Sequence, residues 1–144
     1  MPHLKKEFQV KAGDFVHAGK GSMQIQSTLK TIGYDPEIIR RASICAYESE
    51  MNIVMHGGDG TIYLTVDDRW IIIEACDDGV GIEDIELAFK EGYSTALEEH
   101  QEMGFGAGMG LPNIKKNADS VKVNSSKNKG TYINMFFRTD KNHG

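Results

Sequence analysis

Residues 61–81 read TIYLTVDDRWIIIEACDDGVG, and the architecture is decided here. From Thr61 to Val66 polar and apolar residues alternate with period two, Asp67-Asp68-Arg69 is turn-forming, and Trp70 to Cys76 is an almost unbroken apolar run. Alternation marks a strand with one face in a core, and a short apolar run bounded by turn residues marks a buried strand. Together they predict an antiparallel hairpin, which Asp77-Asp78-Gly79-Val80-Gly81 ends abruptly.

Upstream of the hairpin, Asp35-Pro36 is a strong helix start, a capping residue followed by proline in the first turn. The helix is expected to run to about Met55, where Gly57-Gly58 stops it, with Ile44, Tyr47, Met51, Val54 and Met55 on one side. Earlier still, Gly13-Asp14 reads as a turn and N-cap for a helix from Phe15 to Thr31, ended by Gly33, although Gly19 and Gly21 are poor helix formers. Leu4, Lys6, Phe8 and Val10 have strand spacing.

Downstream, Glu83 to Glu91 can form a short helix, and Gly92 to Gly110 reads as a long mobile loop. Leu111-Pro112 opens a helix to about Ala118, and Val121–Ser125 with Thr131–Phe137 makes a closing hairpin. The expected fold is an α+β two-layer sandwich, a mainly antiparallel sheet with helices on one face.

The bulk composition agrees. A chain of 144 residues, 40% hydrophobic and 26% charged, fits a single soluble domain spanning 1–144. No apolar run reaches the roughly 18 residues of a membrane helix, and Met1 to Val10 has no signal-peptide core, so a cytoplasmic protein is expected. A net charge of −5 argues against nucleic acid as the main partner. Cys45 and Cys76 match no metal or redox spacing and read as buried free thiols.

Four features bear on chemistry. Glu48 and Asn52 are four apart on the predicted long helix, so they share a side and flank the apolar stripe. The carboxylate could deprotonate a nucleophile and the amide oxygen could ligate Mg²⁺; taken alone, the pair reads first as ordinary surface residues. Asp77 ends an apolar strand, where it could accept a hydrogen bond from an exocyclic amine while Gly79 and Gly81 let backbone approach a flat ligand. The same residues also suit a plain turn. In Gly104-Phe105-Gly106-Ala107-Gly108-Met109-Gly110, four alternate glycines run directly into a helix, so backbone N–H groups and the helix N-terminus could hold phosphates. It is neither a P-loop nor a dinucleotide fingerprint. Last, Gly130-Thr131 enters the final strand, where the hydroxyl could share a ligand's polar edge.

Taken in order, a helix with Glu-x-x-x-Asn, a strand ending Asp-x-Gly-x-Gly, a glycine-rich lid with a helix, and Gly-Thr on a strand resemble the Bergerat ATP-binding fold. DNA gyrase, the ninety-kilodalton heat-shock chaperones, MutL-type repair proteins and sensor histidine kinases share it. The resemblance covers about Asp35 to Phe137. Tyr47 to Asn52 with His56-Gly57 is similar to the small anti-sigma-factor serine/threonine kinases. Gly92-Tyr93-Ser94-Thr95 and Gly106 to Pro112 are similar to their stressosome-switch subgroup.

The resemblance implies ATP and Mg²⁺ as cofactors. It makes Glu48 the general base for a serine or threonine hydroxyl, Asn52 the Mg²⁺ ligand and Asp77 the adenine-amine acceptor. Gly81 would lie beside the ring with Thr131 in support, and Gly79 and Ile82 would also contact the nucleotide. Gly106, Gly108 and Gly110 would hold the phosphates, and Ser94, Thr95, Gly104, Ala107, Met109 and Leu111 would also contact the nucleotide. The implied partner is a STAS-domain regulator or a sigma factor, and a homodimer is possible. An acidic stretch, Leu97 to Glu102, departs from the subgroup. Beside the kinase reading stand a nucleotide-gated regulator-binding module without kinase activity and a plain ATP hydrolase.

Overall fold

The computed structural model describes residues 4–56, 58–79, 81, 89, 110–125 and 128–139. Five strands form one antiparallel sheet: β1 Leu4–Val10, β2 Gly60–Val66, β3 Trp70–Asp77, β4 Ser120–Ser125 and β5 Thr131–Arg138, in the spatial order β1-β2-β3-β5-β4. Three helices among the described residues, α1 Lys20–Ile32, α2 Pro36–His56 and α3 Gly110–Asn117, contribute to the core on one face of the sheet. The expected two-layer α+β sandwich is the observed fold.

The central hairpin forms for the reasons read from sequence. Asp67 Oδ1 accepts from the N–H groups of Arg69 and Trp70 at 2.9 and 2.8 Å, closing the turn with a side chain in place of backbone. Ile62, Leu64, Ile71, Ile73, Ile133, Met135 and Phe137 are fully buried beneath the helices. Each contributes roughly 1.5–3 kcal/mol of transfer free energy. The run in β3 is continuous because both of its faces are apolar. Ile71, Ile73 and Ala75 are buried, while Trp70 and Ile72 lie half-buried on the other side. There Phe136 meets the Trp70 ring edge-on at 6.0 Å and Arg138 stacks on Trp70 at 5.5 Å.

Helix α2 starts at Pro36 as expected and runs to His56, but its buried stripe is rotated from the expected one. Met51 and Val54 are buried, whereas Tyr47 is 42% exposed. The residues that go inward include Ala42, Cys45, Ala46, Ser49 and Glu50. Counting large apolar side chains misplaced the stripe because α2 packs against helices on both sides, and close helix packing favours small residues. Cys45 is buried as expected, with its thiol pushed up to about 12 by burial, whereas Cys76 is only half-buried.

The first helix is the larger correction. It begins at Lys20, five residues later than expected. Asp14 caps a local turn instead, accepting from the backbone N–H of His17 at 3.3 Å. The N-cap is Gly19, with φ +94° and no side chain to offer. The orphan donors of the first turn are satisfied from across the fold. Glu50 on α2, 3% exposed, accepts from Gly21 N–H at 3.1 Å and Ser22 N–H at 2.9 Å, one oxygen each. Gly19 is thus where the chain turns through a left-handed conformation, and Gly21 is where the helix start meets a carboxylate. At the other end, Gly33 stops α1 as read from sequence, with φ +98° and its N–H on Leu29 O.

Truncating Glu50 leaves two buried N–H groups without acceptors. Glu50→Ala is expected to destabilise the protein by about 2–4 kcal/mol in urea unfolding, with Glu50→Gln losing less because one carbonyl acceptor remains. A loss below about 0.5 kcal/mol for Glu50→Ala would show that the cap is dispensable.

Candidate functional site

Two clusters of side chains are positioned by this frame. The first sits where three strands end together. Gly60 of β2, Asp77 of β3 and Thr131 of β5 lie side by side in register. The backbone there is too close for side chains at the glycines. A Cβ at Gly60 would collide with the Cys76 carbonyl oxygen, and one at Gly130 with the carbonyl oxygen of Asp77. Gly130 also has φ +77° and donates its N–H to Gly79 O at 3.0 Å. The strand ends are thereby tied to the turn after β3, and Gly81 continues from it at φ +79°.

Within that knot Asp77 Oδ1 accepts from Gly79 N–H at 2.9 Å. Burial is the main force on this carboxyl, raising its pKa above the ordinary carboxylate range, and neighbouring Asp78 adds to the rise. The backbone N–H groups of Gly79 and Thr131 pull the other way. Thr131 is 6% exposed, and its hydroxyl meets Ser125 Oγ at 2.9 Å while Ser125 Oγ donates to Gly130 O at 2.8 Å. A half-buried acceptor beside a buried hydroxyl suits recognition of a neutral donor such as an aromatic amine.

The second cluster joins α2 to α3. Arg41, Cys45 and Glu48 lie along one side of α2 at spacings of four and three. Arg41 Nη1 donates to Asn117 O at 2.8 Å and Cys45 Sγ to Ile114 O at 3.6 Å. Glu48 Oε2 accepts from Asn113 Nδ2 at 2.9 Å. The other oxygen, Oε1, faces the first residue of α3, since a Cβ at Gly110 would lie 3.7 Å from it. Asn52, one turn further along α2, is half-buried. Next to it, Ile53 reaches the strand ends, with Cδ1 3.1 Å from where a Gly60 Cβ would be. The helix with the Glu/Asn pair therefore passes directly over the knot that holds Asp77.

The structure brings together Asp77, Gly79 and Thr131 in the first cluster, and Glu48 and Gly110 in the second. Leu111 is buried under α3 at 7% exposure, so it is core before it is ligand contact. Ile82, Ser94, Thr95, Gly104, Gly106, Ala107, Gly108 and Met109 lie outside the described residues, as does the acidic stretch 97–102. Sequence reading missed Ser125, Asn113 and Glu50. Asn113 had a signal available, an amide three residues into the helix that follows the glycines; the other two depend on tertiary placement.

An antiparallel sheet under helices, a carboxylate at the end of a central strand, and a Glu-x-x-x-Asn helix over it define an ATP-binding class. Residues 37–141 match the family described as histidine kinase-, DNA gyrase B-, and HSP90-like ATPase, and the chain belongs to it. Among relatives, the anti-sigma F factor of Caldanaerobacter subterraneus subsp. tengcongensis is 35% identical over 69% of this chain and 62% of its own length. The anti-sigma F factor of a Thermoanaerobacter species is 36% identical over 70% of this chain and 72% of its own. The serine/threonine-protein kinase RsbT of Bacillus subtilis is 31% identical over 75% and 78%. The chain spans about three-fifths of the length of the first of these, at 62%. Among the described residues, no helix is long and apolar enough to cross a membrane.

A carboxyl whose folded pKa lies above its unfolded value costs the fold stability once pH exceeds the unfolded pKa of about 4, and costs nothing well below it. Asp77→Asn keeps an acceptor for Gly79 and removes that cost. The ligand-free variant should be as stable as the parent, or more so, at about pH 7, with the difference vanishing at about pH 3. Urea unfolding at both pH values checks this; a loss above about 1 kcal/mol at neutral pH would mark Asp77 as a structural residue.

Proposed function

We propose that this chain is an ATP-dependent serine/threonine kinase of the anti-sigma-factor regulatory type, acting on a STAS-domain partner. The observation that carries the reading is Glu48. It shares a side of α2 with Asn52, faces the start of α3, and has one oxygen held by Asn113 and the other beside Gly110. Family membership and the names of the relatives, anti-sigma F factors and a serine/threonine-protein kinase, support it. The finer likeness to the stressosome-switch subgroup rests on the spelling of residues 92–95 and 106–112. The relatives at the higher identities, 35% and 36%, are anti-sigma F factors, with RsbT at 31%. A single domain and a cytoplasmic setting complete the reading.

The residues present fit the nucleotide. Asp77 offers a half-buried acceptor at the strand ends, and the buried Thr131 stands beside it. Glu48 and Asn52 are hard oxygen donors. Among the described residues no group of three or more His, Cys, Asp or Glu could hold a metal by itself. Mg²⁺ would enter with phosphates supplying part of its shell and Asn52 a neutral oxygen. Bound Mg-ATP supplies the γ-phosphoryl group. Asp77 and Thr131 would hold the base, and Gly110 with its helix N-terminus would face the phosphates. Glu48 would take the proton of the acceptor hydroxyl as that oxygen bonds to the γ-phosphorus and the bond to the β-phosphate oxygen breaks.

The second reading, a nucleotide-gated module that captures a regulator without phosphorylating it, is favoured by the anti-sigma names of several relatives. One experiment separates the two. Purified protein, Mg-ATP and a STAS-domain protein from the same genome are incubated, and the acceptor is weighed by intact mass spectrometry. A gain of one phosphate is expected with the parent chain. Glu48→Gln should bind ATP with unchanged affinity yet transfer at least about 100-fold more slowly, and Asp77→Asn should lose ATP binding. Binding of ATP without transfer favours the gated module, and undiminished transfer by Glu48→Gln removes Glu48 as the base.

A further inference from the structure

We infer that Asn113 is a positioning residue for phosphoryl transfer, holding the Glu48 carboxylate in one orientation from the helix that follows the glycine lid. The inference rests on the reading of Glu48 as the base.

Glu48 has two oxygens in different surroundings. Oε2 accepts from Asn113 Nδ2 at 2.9 Å, and Oε1 lies on the side of Gly110. A carboxylate with one oxygen committed to an amide donor cannot rotate freely about its last bond, so the other oxygen keeps a fixed aim. That aim is toward the N-terminal turn of α3, where the sequence runs from glycines into the helix. A general base must present an oxygen within hydrogen-bond reach of the hydroxyl it deprotonates, and misplacement of about 1 Å can cost 100-fold.

Docking of α3 onto α2 does not need this bond. Arg41 holds the carbonyl of Asn117, Cys45 that of Ile114, and Leu111 and Ile114 are buried in the core. Arg41 and Cys45 fix the register of the two helices and thereby bring Asn113 opposite Glu48. Asn113 is itself only half-buried, and its backbone carbonyl accepts from Asn117 Nδ2 at 2.8 Å, as a local helix contact. The amide directed across the seam thus acts on the carboxylate more than on the fold. It also makes the base sensitive to where α3 sits, since Glu48 is correctly aimed only while this helix is docked.

The test compares Asn113→Leu, Asn113→Ser and Asn113→Gln with the parent, using the same STAS-domain acceptor and Mg-ATP. Rates are taken across ATP and acceptor concentrations, and each variant is first checked by thermal melting. Leu and Ser are expected to lower kcat by about 10- to 30-fold with KM for ATP unchanged. Gln, which keeps the amide donor on a longer arm, should recover most of the rate. In a Glu48→Gln background the Asn113 substitutions should have no further effect, because residues acting as one unit are not additive. If both Leu and Ser transfer at the parent rate, or if KM for ATP rises while kcat holds, Asn113 does not position the base. If the parent chain fails to transfer, or Glu48→Gln transfers normally, the reading of Glu48 fails and takes this inference with it. Should Leu melt early, the Ser variant decides.

Discussion

What Glu48 and Asn52 can do depends on the rotation of α2 about its own axis, and one buried carboxylate on that helix helps to hold the rotation. Glu50 binds two backbone N–H groups at the start of α1, where the N-cap residue is a glycine without a capping side chain. Residues two apart on a helix point about 200° away from each other. Turning Glu50 toward α1 therefore turns Glu48 toward α3, and Asn52 follows Glu48 within about 40°. Two glutamates separated by a single serine do unlike work for this reason. One is 3% exposed and satisfied by backbone donors; the other is half-buried and faces the seam with α3.

The coupling explains the glycines of the first helix, which as local signals are a defect. Gly19 takes a left-handed conformation that lets the chain enter α1 beside Tyr47, and Gly21 puts its bare backbone against Glu50. Propensity counts each glycine as a cost of up to about 1 kcal/mol. The charge-assisted bonds to Glu50 offset that cost, each contributing roughly 1.5–3 kcal/mol. A local rule is broken where a tertiary contact compensates, so the helix start was misread from sequence and can be understood only with α2 in place.

The legible part of the protein was the part governed by period and punctuation. The hairpin from Thr61 to Asp77, the start at Pro36 and the stop at Gly33 all follow from local residues, and all stand where the sequence put them. Glu48, Asn52 and Asp77 were legible as candidates because spacing fixes which way they point relative to their own element. What spacing cannot supply is the neighbour on another element. Ser125 behind Thr131, Asn113 on Glu48 and Glu50 on α1 are separated from their partners by 6, 65 and about 29 residues. Only the first pair shares a hairpin. The inward phase of α2 was misread for the same reason: a helix packed between two others buries alanine, cysteine and serine, which carry little hydrophobic signal.

The two clusters also differ in what they ask of the fold. The strand-end knot is rigid, since Gly130 is pinned by φ, by its bond to Gly79 O and by the adjacent Asp77 carbonyl. It also keeps the Asp77 carboxyl partly desolvated. The α2–α3 seam is held by side-chain contacts between two helices, Arg41 to Asn117 O, Cys45 to Ile114 O and Asn113 to Glu48. Loosening α3 would release Asn113 from Glu48 without disturbing Asp77, because they lie on different elements. On the proposed reading, binding of the base at Asp77 and aiming of the Glu48 oxygen belong to different elements. A regulator acting on α3 would, on that same reading, change the aim of Glu48 and the phosphate side of the site together while leaving the strand-end cluster around Asp77 in place, which a site built on a single element could not do.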